Sequence, residues 1–198
     1  MPEKQHGFWT PANTITVGRM FLIPVVMYFL FEPQVRQMWA GWVAMVIFVV
    51  AGILDLVDGW LARHYKQVSI VGTFLDPLAD KLMVTTVMIM LLPLGRIPAW
   101  LVVVLISREL VITGLRGLAS AEGIIISASS GGKYKTAYQT VGLSFLILHE
   151  RYLEIDTHLV GLWLLTISAV ISLWSGWEYC REFAKMSRLP GGGAAAGA

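Results

Sequence analysis

The feature that most constrains this chain is its succession of apolar runs. WAGWVAMVIFVVAGIL at 39–54 and LMVTTVMIMLLPL at 82–94 are two of them. Counted with the residues that flank them, such runs reach about 20 residues, the length a helix needs to cross a hydrocarbon core of roughly 30 Å. Of the 198 residues 56% are hydrophobic and only 14% are charged, and the mean hydropathy is +0.67. A soluble domain of this size carries about a quarter of its residues as charges. The sequence therefore predicts an all-α integral membrane protein.

Six spans fit the pattern, at about 14–31, 38–64, 73–94, 97–121, 133–150 and 159–182. Asn13 is the expected cap of the first. Pro77 is expected either in the first turn of the third or at a kink there. HERYLEIDTH at 149–158 reads as a polar turn. No polar stretch is long enough for a second core, so residues 1–188 are expected to form one membrane domain. The glycine- and alanine-rich end at 189–198 is expected to be a disordered tail.

Lysines and arginines set the orientation. With the N-terminus inside, the cytoplasmic ends hold Lys4, Arg19, Arg63, Lys66, Lys133, Lys135, Arg181, Lys185 and Arg188, whereas the opposite side holds Arg36, Arg96 and Arg151. That bias places both termini in the cytoplasm. Trp39, Trp42 and Trp100 then fall near the outer interface, and Trp60 and Trp177 near the inner one. A net charge of +2 does not argue for a nucleic-acid partner, and one cysteine, Cys180, excludes an intrachain disulfide.

Between two of the apolar runs lies DLVDGWLARHYKQVSIVGTFLDPLAD, residues 55–80, with four aspartates at the cytoplasmic edge. Charges there are costly and point to a site. Asp55, Asp58, Gly59 and Ala62 share one face of the second helix, and Asp76 and Asp80 one face of the third. Four clustered carboxylates raise one another's pKa unless cations neutralise them, which Mg²⁺ does with oxygen ligands and substrate phosphates. Two such ions would form a clamp for displacement at phosphorus. Gly59 and Ala62 leave room against the backbone, and Arg63 can reach a phosphate. The plainer reading is an ion-pair network balanced by Arg63, Lys66 and Lys81.

The pattern Asp55-x2-Asp58-Gly59-x2-Ala62-Arg63-x8-Gly72-x3-Asp76-x3-Asp80 resembles the complete signature of the CDP-alcohol phosphotransferase family. The resemblance implies six transmembrane helices, a homodimer, and an active site open to the cytoplasm, so that the chain would lie in the inner membrane among its lipids. It also implies two Mg²⁺ ions (or Mn²⁺) held by Asp55, Asp58, Asp76 and Asp80, with Asp80 as general base. Gly59, Ala62, Arg63 and Gly72 would sit against the CDP part of the donor. The opening Asn13-Thr14-Ile15-Thr16-x2-Arg19 is similar to a motif of one branch of the family and adds Asn13 and Arg19 to that side. Arg19 reads equally as an anchor at the inner edge.

The acceptor is read from ISRELVITGLRGLASAEG at 106–123 and SSGGKYKTAYQT at 129–140. Arg108, Arg116, Lys133 and Lys135 would gather round an acceptor carrying its own phosphate, helped by free amides at the start of the fifth helix. Lys133 and Lys135 read equally as lipid anchors. Arg108 also reads as the structural partner of Glu109 or of an aspartate. Arg-Glu-Leu at 108–110, Gly-Leu-Arg at 114–116 and Gly-Lys-Tyr-Lys-Thr at 132–136 with Gln139 resemble the branch that moves a phosphatidyl group from CDP-diacylglycerol to glycerol 3-phosphate. The alternatives are another acceptor (inositol phosphate, serine or phosphatidylglycerol) or, outside the class, a divalent-cation transporter. His64, His149 and His158 are expected to play no part in the site.

Overall fold

The computed structural model describes residues 11–31, 34–65, 70–121, 131–149, 151–152 and 155–186; at 11–13, 36, 56–65, 70–78, 80, 121, 131–133, 151–152 and 155 only the backbone is described. The expected tail at 189–198 lies outside the described residues.

Six α-helices carry the described chain: α1 (Pro11–Leu30), α2 (Met38–Tyr65), α3 (Ile70–Leu91), α4 (Ala99–Ala121), α5 (Gly131–Leu148) and α6 (Thr157–Met186). A 3₁₀ turn at Gln34–Arg36 precedes α2. Two short strands, β1 (Arg151–Tyr152) and β2 (Ile155–Asp156), pair antiparallel, with Arg151 opposite Asp156 and Tyr152 opposite Ile155. The described residues form two compact units, one comprising those up to 97 with those in 143–161 and the other those in 98–142 with 162–186.

In the first unit α1 packs against α2 and α3. Thr16, Arg19, Val26 and Leu30 form the buried stripe of α1, and Phe21, Val25 and Tyr28 stay exposed. The buried stripe of α2 is Ala40, Ala44, Phe48 and Ala51. Small residues there let helix backbones come close. Gly41 shows how close: a Cβ added to it would lie 3.4 Å from the carbonyl oxygen of Ile147. On α3, Ala79, Met83, Val87 and Leu91 repeat at four-residue intervals and are all buried. In the second unit the buried stripe of α4 is Leu101, Leu105 and Ile112, that of α5 begins with Lys135 and Gln139, and that of α6 includes Leu165, Ser168, Ser172, Ser175 and Tyr179.

Two helices are long and apolar enough to cross a bilayer among the described residues, α2 over Met38–Asp55 and α6 over Thr157–Met186. Thr14–Leu30 and Lys81–Leu91 are apolar but shorter. Trp39, Trp100, Trp163, Trp174 and Trp177 are exposed, together with Val103, Leu110 and Val170. Apolar surface on this scale suits lipid contact.

Two local expectations need correction. The described part of α1 already includes Pro11, so Asn13 lies inside the helix and does not cap it. The segment 149–158 is more than a polar turn. It pairs into the β1–β2 ribbon, and Asp156 then caps α6, its Oδ1 accepting a hydrogen bond from the Leu159 N–H at 3.1 Å. Pro77 falls inside α3, seven residues beyond the start of the helix at Ile70.

The α5 end of the first unit is held by polar contacts. Arg96 Nη1 donates to the Ile147 carbonyl at 2.6 Å, occupying one of the last carbonyls of α5. The His158 ring nitrogen Nε2 lies 3.1 Å from the Arg96 carbonyl, and the His149 and His158 rings meet edge to face at 4.6 Å. His149 has φ 49°, the left-handed conformation common just past a helix end. These histidines serve the helix connection.

Candidate active site

The expected carboxylates belong to the first unit. Asp55 lies four residues after Ala51, so it continues the buried stripe of α2 at the point where the helix turns polar. Its Oδ1 is ion-paired with Arg19 Nη1. Arg19 is 4% exposed and Asp55 33%. An arginine facing lipid or headgroups would not be so covered, so of the two readings of Arg19 the anchor is the weaker.

Unbroken helix runs through Asp58, Gly59, Ala62 and Arg63 on α2, and through Gly72, Asp76 and Asp80 on α3. Asp55 and Asp58 are therefore one turn apart, as are Asp76 and Asp80. Asp76 precedes the buried Ala79 and Met83 in the same helical register. The side chains of Asn13, Asp58, Ala62, Arg63, Asp76 and Asp80 lie outside the described residues, as do the surroundings of Gly59 and Gly72. Among the described side chains no group of three metal-ligating residues occurs. The donor set itself suits Mg²⁺, since its members are carboxylates with hard oxygen ligands. Asp55 is part exposed, and the cation it pairs with, Arg19, is one that a bound metal would replace or supplement.

The basic residues belong to the second unit, and they are not a loose cluster. Arg108 Nε donates to the Ser172 carbonyl at 2.8 Å, and Nη2 to Ser175 Oγ at 2.7 Å. Nη1 faces Glu109 Oε1 at 3.3 Å. The same Glu109 oxygen is ion-paired with Lys135 Nζ. One carboxylate thus links two of the expected phosphate-binding cations. Lys135 is buried, and its backbone carbonyl accepts a hydrogen bond from the Ser168 hydroxyl at 3.0 Å. Thr113 Oγ1 donates to the Glu109 carbonyl at 2.7 Å.

Arg116 is not tied into this network. It is exposed, with its guanidinium carbon 5.8 Å from the centre of the Tyr179 ring. Lys133 lies in the first turn of α5, but its side chain is outside the described residues.

The serines of α6 escaped the sequence reading. Ser168, Ser172 and Ser175 fall on one helix face at i, i+4 and i+7, all buried. The Ser172 hydroxyl makes no hydrogen bond among the described residues. The signal was available as that spacing, but serines in an apolar helix commonly bond back to their own backbone, as Ser175 Oγ also does to the Ser172 carbonyl at 3.2 Å.

A family model described as CDP-alcohol phosphatidyltransferase matches residues 9–174, and the chain belongs to that family. Its aspartate-bearing α2 and α3 and its basic α4 and α5 all lie inside the matched segment. A Bacillus subtilis protein named CDP-diacylglycerol–glycerol-3-phosphate 3-phosphatidyltransferase is 36% identical over 176 residues, covering 84% of this chain and 91% of its own. A Rickettsia bellii protein of the same name is 31% identical over 178 residues, covering 86% of this chain and 95% of its own.

Proposed function

We propose that the chain transfers a phosphatidyl group from CDP-diacylglycerol to sn-glycerol 3-phosphate, giving phosphatidylglycerophosphate and CMP. The observation that carries this reading is family membership over residues 9–174 combined with relatives of that name across nearly their whole length. The cations of the second unit agree with it. Arg108 and Lys135 already share a carboxylate oxygen, an anion of the kind a phosphate monoester also presents. A zwitterionic acceptor such as serine calls for no such pair.

The chain's own residues divide the work. Gly59, Ala62 and Gly72 leave space for the CDP group, with Asn13 and Arg63 contacting its polar atoms. Arg19 acts through Asp55, holding that carboxylate in place. Arg108, Arg116, Lys133 and Lys135 take the phosphate of the acceptor. Asp80 accepts the proton of the acceptor's primary hydroxyl. That oxygen bonds to the phosphorus joined to diacylglycerol, the bond from this phosphorus to the bridging oxygen breaks, and CMP leaves with the bridging oxygen. No covalent enzyme intermediate is needed. Two Mg²⁺ ions, or Mn²⁺, held by Asp55, Asp58, Asp76 and Asp80 would supply charge neutralisation at the phosphates.

All six helices span the inner membrane in this reading, both termini are cytoplasmic, and the protein works as a homodimer with the site on the cytoplasmic face. The donor's acyl chains then remain in lipid while glycerol 3-phosphate arrives from water. The test supplies purified protein with CDP-diacylglycerol and radiolabelled glycerol 3-phosphate. Label passing into the organic phase as a phosphatidyl product is expected; label staying in water, from folded protein with Mg²⁺, would overturn the reading.

A further inference from the structure

We infer that Ser175 and Gly176 of α6 are positioning residues for the acceptor: they seat Arg108 so that one edge of its guanidinium is fixed and the other is presented to an anion. This rests on the proposed role of Arg108 at the acceptor phosphate.

An arginine within an apolar helix has many rotamers and a strong demand for partners. Here α6 removes that freedom. Its Ser172 carbonyl takes Nε and its Ser175 hydroxyl takes Nη2, so the Nε–Nη2 edge is held at two points 2.8 and 2.7 Å away. Ser175 is itself fixed by donating its proton to the Ser172 carbonyl, which leaves its oxygen lone pairs to face Arg108. Gly176 completes the seat by absence of bulk. A Cβ there would come within 3.2 Å of Arg108 Nε, tighter than ordinary contact, and 3.5 Å of its Cγ, so a side chain would push the guanidinium by a few tenths of an ångström. With that edge taken, Nη1 is the group turned towards Glu109 and, through it, Lys135. A planar guanidinium fixed along one edge has its remaining donors aimed in one direction, which suits a phosphate and not a point charge. Ser175 and Gly176 lie beyond residue 174, where the family match ends.

The test compares Ser175→Ala, Ser175→Thr, Gly176→Ala and Arg108→Ala in the same membrane preparation, reading KM for glycerol 3-phosphate, KM for CDP-diacylglycerol and thermal midpoint. Losing one hydrogen bond to a charged group is expected to raise KM for glycerol 3-phosphate about tenfold in Ser175→Ala. KM for the lipid donor should stay within about twofold, and Ser175→Thr, which keeps the hydroxyl, should recover most of the loss. Gly176→Ala should shift the same constant. If Arg108→Ala raises KM for glycerol 3-phosphate while Ser175→Ala and Gly176→Ala do not, the seat is wrong and the acceptor reading stands. If Arg108→Ala leaves it unchanged, the acceptor reading itself fails. Parallel loss in Ser175→Ala and Ser175→Thr, or equal changes in both substrates' KM, would also overturn the seat.

Discussion

Arg19 of α1 and Asp55 of α2 meet as an ion pair at the end of the seam between the two helices, one turn beyond the alanine stripe of α2. The pair ties the first helix to the first carboxylate of the aspartate signature. Removing Arg19 leaves a carboxylate that is one-third exposed and can be partly rehydrated. Arg19→Ala is therefore expected to cost about 2 kcal/mol, below the usual figure for breaking a fully buried pair. It should also lower turnover, because Asp55 loses its fixed position. Thermal unfolding and CMP release measured together check this; full activity with full stability would mean the pair does neither job.

Charge removal at the carboxylates should separate two roles. Asp80→Asn is expected to lower turnover by at least about a thousandfold while the protein still folds, since the proposal gives Asp80 both a metal-ligand and a base role. Asp58→Asn and Asp76→Asn should weaken activity in a way that added Mg²⁺ partly restores. Chelation should stop CMP release by the unaltered protein, and Mg²⁺ or Mn²⁺ should return it. Turnover unchanged by chelation would remove the metals from the account.

Glu109 holds Arg108 and Lys135 together through one carboxylate oxygen. In Glu109→Gln the buried Lys135 and the part-buried Arg108 lose their common counter-charge, which should cost about 2 kcal/mol of stability. A bound phosphate can replace that charge. Glycerol 3-phosphate is therefore expected to raise the thermal midpoint of Glu109→Gln more than that of the unaltered protein. Equal shifts would show that Glu109 and the acceptor do not share these cations.

Asp156 caps α6 and has no part in the proposed chemistry. Asp156→Ala should lower stability by about 1 kcal/mol, the usual worth of such a cap, and leave both KM values unchanged. Thermal unfolding beside steady-state kinetics would show it.

Each aspartate pair falls within a single helix, Asp55 and Asp58 in α2 and Asp76 and Asp80 in α3, and within a helix spacing alone fixes which residues share a side. The same local logic located all six helices to within a few residues. It failed where a non-local or terminal choice decided the outcome. Asn13 lies inside α1 and does not cap it, and the β1–β2 ribbon depends on Arg151 pairing with Asp156. The links from Arg108 to Ser172 and Ser175, and from Lys135 to Glu109, join separate helices. No periodicity within α4, α5 or α6 encodes them. Gly176 is silent in the sequence for the same reason, since its purpose appears only beside Arg108.

The most direct test of the central claim is CMP release from CDP-diacylglycerol by the purified protein with Mg²⁺, with glycerol 3-phosphate, inositol phosphate, serine and phosphatidylglycerol offered one at a time. Release with glycerol 3-phosphate alone is expected. Release with serine or phosphatidylglycerol and none with glycerol 3-phosphate would contradict it, keeping the aspartate site but overturning the role given to Arg108 and Lys135.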